Sequence, residues 1–175
     1  MEVKQATEAP AGFLEFCRRE ARECVQTGTR TVPALTAVRL AELSEVNRAV
    51  NGSIREVEDS VQYGRAEHWA LPRKGAGDCE DFALLKRHLL FQRGWPSSAL
   101  LITTARIGSG AGHAVLTVVT NKGDLVLDNR TSAIRNWAET GYVFFARQNP
   151  SNPRKWVAVD VGRRMLMASA AGRGR

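Results

Sequence analysis

An α+β domain with an antiparallel sheet is the fold class this sequence predicts, and three observations carry the prediction. Apolar residues recur at helical spacing in the first half of the chain. From Ala99 onward they alternate as in strands, and turn signals such as Asn121-Lys122-Gly123-Asp124 separate the runs. Helices first and strands afterwards place strands beside strands, with the helices gathered on them. The 175 residues are 43% apolar and 25% charged, enough for one core but a tight fit for two.

Taken in order, residues 1–10 read as a flexible leader, 11–161 as the single domain and 162–175 as a basic, mobile tail. Phe13 to Val25 is a short amphipathic helix carrying Phe13, Phe16, Cys17 and Cys24. Thr31-Val32-Pro33 interrupts the chain. Leu35, Val38, Leu43, Val46, Val50, Ile54 and Val57 then mark one long helix, loosened at Asn51-Gly52. Residues 59–77 are a polar loop with Tyr63, His68, Trp69 and Pro72. A second helix runs from Asp78 to Arg93 and stops at Gly94 and Pro96. Strands are predicted at 99–106, 113–120, 125–128, 142–147 and 155–161.

Composition excludes some functions. No apolar run approaches the roughly 20 residues a bilayer span needs, so no membrane insertion is expected. The net charge of +7 permits acidic partners. Its Arg and Lys residues are scattered among acids, however, and neither zinc-finger spacing nor an RNP-type strand is present, which argues against nucleic acid. The cysteines, Cys17, Cys24 and Cys79, form no Cys-x-x-Cys. In a continuous helix the Cα atoms of Cys17 and Cys24 would lie about 10 Å apart, beyond the roughly 7 Å limit of a disulfide. Either the helix breaks between them and they pair, or they are two buried thiols.

Chemistry concentrates in Gly75 to Ala83, GAGDCEDFA. Its glycines allow a sharp turn, Asp78 suits the N-cap, and Cys79 becomes the first helical residue. The N–H groups there favour a thiolate and suit an oxyanion, whereas Glu80 and Asp81 oppose the thiolate unless an imidazolium outweighs them. A thiolate catalyst needs an oriented base. His88 lies more than two helical turns beyond Cys79, too far to serve, and His68 sits in the preceding loop. His113 starts a strand after the pliable run 108–112, whose Gly112 would let a substrate approach closely. Asp128 ends the apolar strand 125–127, an awkward place for an unpartnered carboxylate. A turn at Lys122-Gly123 would pair position 117 with 128 and put His113, Thr117 and Asp128 on one face. That register leaves His113 four residues from the spot opposite Asp128, so a bulge, a shifted turn or strong twist must close the gap.

GDCEDFALLKRHLL, then GHAVLTV, then LVLDN resembles the bacterial transglutaminase-like cysteine peptidases, whose best-understood members are periplasmic proteases that release biofilm adhesins from the cell surface. The likeness spans roughly Phe13 to Val161. It implies a papain-like core, with the cysteine helix packed on an antiparallel sheet. It implies Cys79 as nucleophile, His113 as base and then acid, and Asp128 as the residue orienting the imidazole. It also implies calcium held partly by Asp78 and Glu80, with no organic cofactor, and a disulfide between Cys17 and Cys24. The segment 68–72 resembles the family's aromatic loop, which makes Trp69 either a cleft wall or a core residue. A protein or peptide substrate, a regulatory receptor and export to the periplasm follow from the same resemblance. The activity it implies is endopeptidase cleavage by acyl transfer. Protein cross-linking by the same triad and a non-catalytic peptide-binding module are the alternatives.

Overall fold

The structure, a computed structural model, describes residues 1–160 apart from Gly28. The basic tail expected at 162–175 lies outside the described residues.

The first correction concerns the leader. Residues Glu2–Thr7 form a strand, β1, and α1 follows at Ala11–Arg19. Every β1 side chain is exposed, so the strand leaves no apolar alternation in the sequence; backbone pairing holds it in place. The helix expected over 13–25 does break: α1 ends at Arg19, and Ala21–Cys24 form a 3-10 turn. The break brings the Cα atoms of Cys17 and Cys24 to 5.6 Å, and their sulfurs are bonded. It occurs without a proline between them, at Glu20, whose N–H still bonds Phe16 O at 2.8 Å.

The long helix α2 spans Ala37–Ser53, capped by Thr36, whose side chain accepts from Arg39 N at 3.2 Å. It stops just past Asn51-Gly52, where the sequence predicted only loosening, and the chain continues into the short strand β2 (Arg55–Glu56). The polar loop contains one helical turn, α3 (Asp59–Gln62), and ends in β3 (Ala76–Gly77), which pairs parallel to β2. Helix α4 covers Cys79–Gln92.

The rest is sheet: β4 (Leu100–Arg106), β5 (Gly112–Thr120), β6 (Gly123–Asp128), β7 (Thr131–Asn136), β8 (Val143–Asn149) and β9 (Asn152–Asp160). Together with β1 they make one antiparallel sheet in the order β1-β9-β8-β4-β5-β6-β7. Strand β7 occupies a stretch expected to be loop. Like β1 it is an edge strand; none of its residues is fully buried, and Ile134 alone packs against the core, too little to mark a strand in the sequence.

Helix α4 lies across β4, β5 and β6, and α2 packs on α4 and β7. The main core fills the space between them, with Phe82 and Leu90 of α4 against Ile102, Leu116 and Leu127 of the sheet. A smaller cluster of Ala105, Val115, Val126 and Phe144 uses the alternate strand positions and so lies on the other face. Among the described residues no helix is long and apolar enough to cross a membrane.

Candidate active site

The approach to Cys79 is fixed before the helix begins. Gly75 adopts φ +69°, a conformation that favours glycine, and its carbonyl accepts from Arg55 N at 2.9 Å. Gly77 O accepts from Val57 N at 2.9 Å, so the turn is tied to the strand following α2. A Cβ on Gly77 would collide with the Asp81 carboxylate, which explains the glycine there. Asp78 takes the N-cap position with extended backbone, but its side chain makes no cap hydrogen bond, contrary to the capping role its residue type suggested. Cys79 then opens α4.

Its sulfur donates to Glu80 Oε2 at 3.1 Å and accepts from Ala114 N on β5 at 3.4 Å. Burial pushes the Cys79 thiol far up, and the neighbouring Glu80 pushes the same way. Both effects favour the thiol over the thiolate, the direction in which the flanking acids were expected to act. Burial and the Asp78 charge raise Glu80 itself to about 9.

Strand pairing settles the register question. The hairpin turn is Asn121-Lys122, one residue earlier than expected, with Thr120 opposite Gly123 and Leu116 opposite Leu127. Asn121 is pinned from outside the hairpin: its N–H bonds Pro33 O at 3.1 Å, and its Oδ1 accepts from Leu35 N at 2.9 Å. Moving the turn by one residue preserves the shared face and halves the offset, so His113 sits two residues from the point opposite Asp128. A diagonal neighbour of that kind is within reach of long side chains. His113 Nε2 lies 2.8 Å from Asp128 Oδ1.

Asp128 is held from several sides. Its Oδ1 also accepts from Arg130 N at 3.0 Å, and its Oδ2 accepts from Tyr142 Oη at 2.6 Å. Burial works to raise this carboxyl, but the bonds from His113, Tyr142 and Arg130 together hold it below the usual carboxylate range. It is therefore an anion facing the imidazole.

Cys79, Glu80, His113 and Ala114 line one cleft of about 620 Å3 with Trp69, Gly12 and Gly112. Trp69 both lines this cleft and belongs to the core, its ring edge-on to Phe13 at 5.7 Å and to Trp156 at 6.3 Å. His68 does not line the cleft: its backbone N–H bonds Asp59 Oδ2 and its ring packs against Tyr63, with centroids 4.3 Å apart. His88 binds Glu23 Oε1 at 2.6 Å.

Behind the cysteine turn lies an acidic cluster. Asp59, Asp78 and Asp81 each bring a carboxylate oxygen within 4.8 Å of the others. Asp59 Oδ1, Asp78 Oδ1 and Asp81 Oδ2 are buried with no hydrogen-bond partner among the described residues. Burial first, then mutual repulsion, raises Asp78 to about 6. Burial likewise raises Asp81 to about 8, against the bond it accepts from Ala70 N at 2.7 Å. Three unsatisfied hard oxygens at this separation fit a divalent cation such as calcium. Of the expected pair Asp78 and Glu80, Asp78 belongs to this cluster with Asp59 and Asp81, while Glu80 accepts a hydrogen bond from the Cys79 thiol. Asp81 stood in the GDCED motif and could have been weighed, whereas nothing in the sequence links Asp59 or Tyr142 to the site.

The family model described as bacterial transglutaminase-like cysteine proteinase matches residues 3–164. No curated protein matches the chain. Among solved structures, calcium-bound Legionella pneumophila LapG aligns with 78% of this chain and 82% of its own, at 23% identity and a TM-score of 0.59. Another LapG structure from that organism gives 25% identity, 75% of each chain and a TM-score of 0.59. The EGTA-treated form gives 28% identity and a TM-score of 0.55, and this chain spans 63% of its length. A cysteine helix on an antiparallel sheet, with a His–Asp pair on adjacent strands, is thus met on a chain that belongs to the bacterial transglutaminase-like cysteine proteinases.

Proposed function

We propose that Cys79, His113 and Asp128 are the catalytic triad of an endopeptidase, and the His113 imidazole, paired with the Asp128 carboxylate and opening on the same cleft as the thiol, carries this reading. With Nε2 committed to Asp128, Nδ1 is the nitrogen that takes the thiol proton. The Cys79 sulfur attacks the peptide carbonyl, and the developing oxyanion is stabilised by N–H groups at the start of α4. The C–N bond breaks as imidazolium Nδ1 protonates the leaving amine. Water, deprotonated by the same nitrogen, then cleaves the thioester and restores the thiol. Asp128 keeps the ring oriented and balances its positive charge throughout.

The substrate inferred from family membership is an exposed linker of a cell-surface adhesin, cut by an exported, periplasmic enzyme under control of a receptor. Mass spectrometry of acid-quenched reactions should find the acyl group on Cys79 and hydrolysed product in solution. An acyl adduct on another residue would overturn the mechanism, and incorporation of a labelled amine in place of hydrolysis would make the protein a cross-linking enzyme.

Calcium is assigned to Asp59, Asp78 and Asp81, where it would supply positive charge beside Cys79 and neutralise carboxylates that otherwise repel one another. Calorimetric titration should show binding at up to millimolar calcium, with Asp81→Asn weakening it by about tenfold or more. An absence of heat from the parent protein over that range would remove the assignment.

A further inference from the structure

We infer that Tyr142 is a positioning residue of this site, gripping the Asp128 carboxylate by one oxygen so that the other faces His113. The inference rests on the triad reading for its catalytic consequence, but its geometry stands by itself. The phenol donates to Oδ2 at 2.6 Å while Oδ1 meets His113 Nε2 at 2.8 Å. The same ring stands edge-on to the imidazole, with centroids 5.6 Å apart and planes at 87°. One side chain therefore restrains both members of the pair, the carboxylate by a charge-assisted bond and the imidazole by contact.

The segment that delivers Tyr142 is built for the purpose. Asn136 and Glu139 form a reciprocal capping box around the 3-10 turn Trp137–Glu139. Thr140 Oγ1 donates to Trp137 O at 2.8 Å and accepts from Tyr142 N at 3.2 Å. Between them Gly141 adopts φ +72°, which favours glycine. The Tyr142 ring then rests on Phe144, with centroids 6.2 Å apart. Burial and the bond to Asp128 push the phenol up to about 12, so it stays a donor at any working pH. A cavity of about 20 Å3 adjoins Asp128 and Tyr142, room for about one water. Without the hydroxyl, Oδ2 would have only such a water, a donor with no fixed direction.

The other titratable and charged groups about this pair are Cys79 and Glu80, which share the cleft with His113, Lys86 on α4, Arg130 after β6 and Arg135 on β7. Tyr142→Phe alters none of them and keeps the ring. It frees the carboxylate's negative charge to act on His113, which then holds its proton to higher pH. A stronger phenol donor does the reverse. The chain has two tyrosines, so 3-fluorotyrosine incorporated into a Tyr63→Phe background reports on position 142 alone.

The decisive measurement is an NMR titration of the His113 ring, assigned with His113→Gln, alongside pH–rate profiles. Tyr142→Phe should raise the His113 midpoint, move the acidic limb of kcat/KM upward and lower kcat about tenfold, with KM little changed. Fluorotyrosine should move the midpoint down, and it decides the matter if the Phe variant does not fold. Midpoints that stay at the parent value in the folded proteins would overturn the inference. A Cys79→Ala protein that still turns over would sink the triad reading alone and leave the His113 shifts intact.

Discussion

Cys79→Ala is expected to abolish peptide cleavage, with kcat falling by at least about 10⁴-fold, while the protein stays folded. The sulfur supplies the electron pair that makes the thioester, and no neighbour can replace it: Glu80 and Asp78 are acids raised by burial, and the imidazole of His113 is turned to Asp128. Alanine is a good residue for the first turn of a helix, and the change removes only two weak sulfur contacts, to Glu80 Oε2 and from Ala114 N. His113→Ala should be nearly as damaging. The double variant should be no worse than Cys79→Ala, because groups that act as a unit are not additive. Cleavage of a verified substrate, measured beside circular dichroism of each variant, checks both points. Full activity without the thiol, or multiplied losses in the double variant, would contradict the mechanism.

The second large effect is on stability. Lys86 is fully buried on α4, its Nζ has no hydrogen-bond partner among the described residues, and the Phe82 ring lies 5.8 Å away. Burial lowers the amine to about 7, against the attraction of Asp128. An ammonium whose folded pKa is below its unfolded value subtracts stability. The full cost applies below about pH 7 and disappears as pH rises toward the unfolded value of 10.5. Lys86→Met fills similar space without the charge and should stabilise the fold at pH 6 by about 2–4 kcal/mol. The gain should shrink steadily by pH 9.5. Urea unfolding at the two pH values tests this, and a variant equally or less stable than the parent at pH 6 would refute it.

How much of this was legible in the sequence depended on whether a residue's neighbours were local. Helix α4 and strands β4 and β5 showed themselves because each buries an apolar face, and the helix start at Cys79 followed from GAGD. The edge strands β1 and β7 could not be read, since they are held by backbone pairing that side-chain pattern does not record. The shared face of His113 and Asp128 was readable from strand parity. Their two-residue offset was not, because Asn121 is pinned by Pro33 and Leu35, far away in sequence. Asp59, twenty residues before Cys79, reaches the acidic cluster only through tertiary folding, and Tyr142 arrives through a loop shaped by Gly141. Their residue types give no hint of either destination.

Gly12 bears on what this cleft can admit. A Cβ there would come within 2.5 Å of the Trp69 ring, so the first turn of α1 is seated directly on the indole. The same indole leans on Trp156 of β9, and the disulfide closes α1 at its far end. The stretch of cleft wall built from Gly12 and Trp69 is therefore part of the interior and leaves little slack for a hinge. A pre-shaped slot of this kind spends no ordering entropy on its own account; the incoming chain must supply it. The expected consequence is a preference for pliable segments, since an unstructured tether can adapt to a fixed wall and a folded domain cannot.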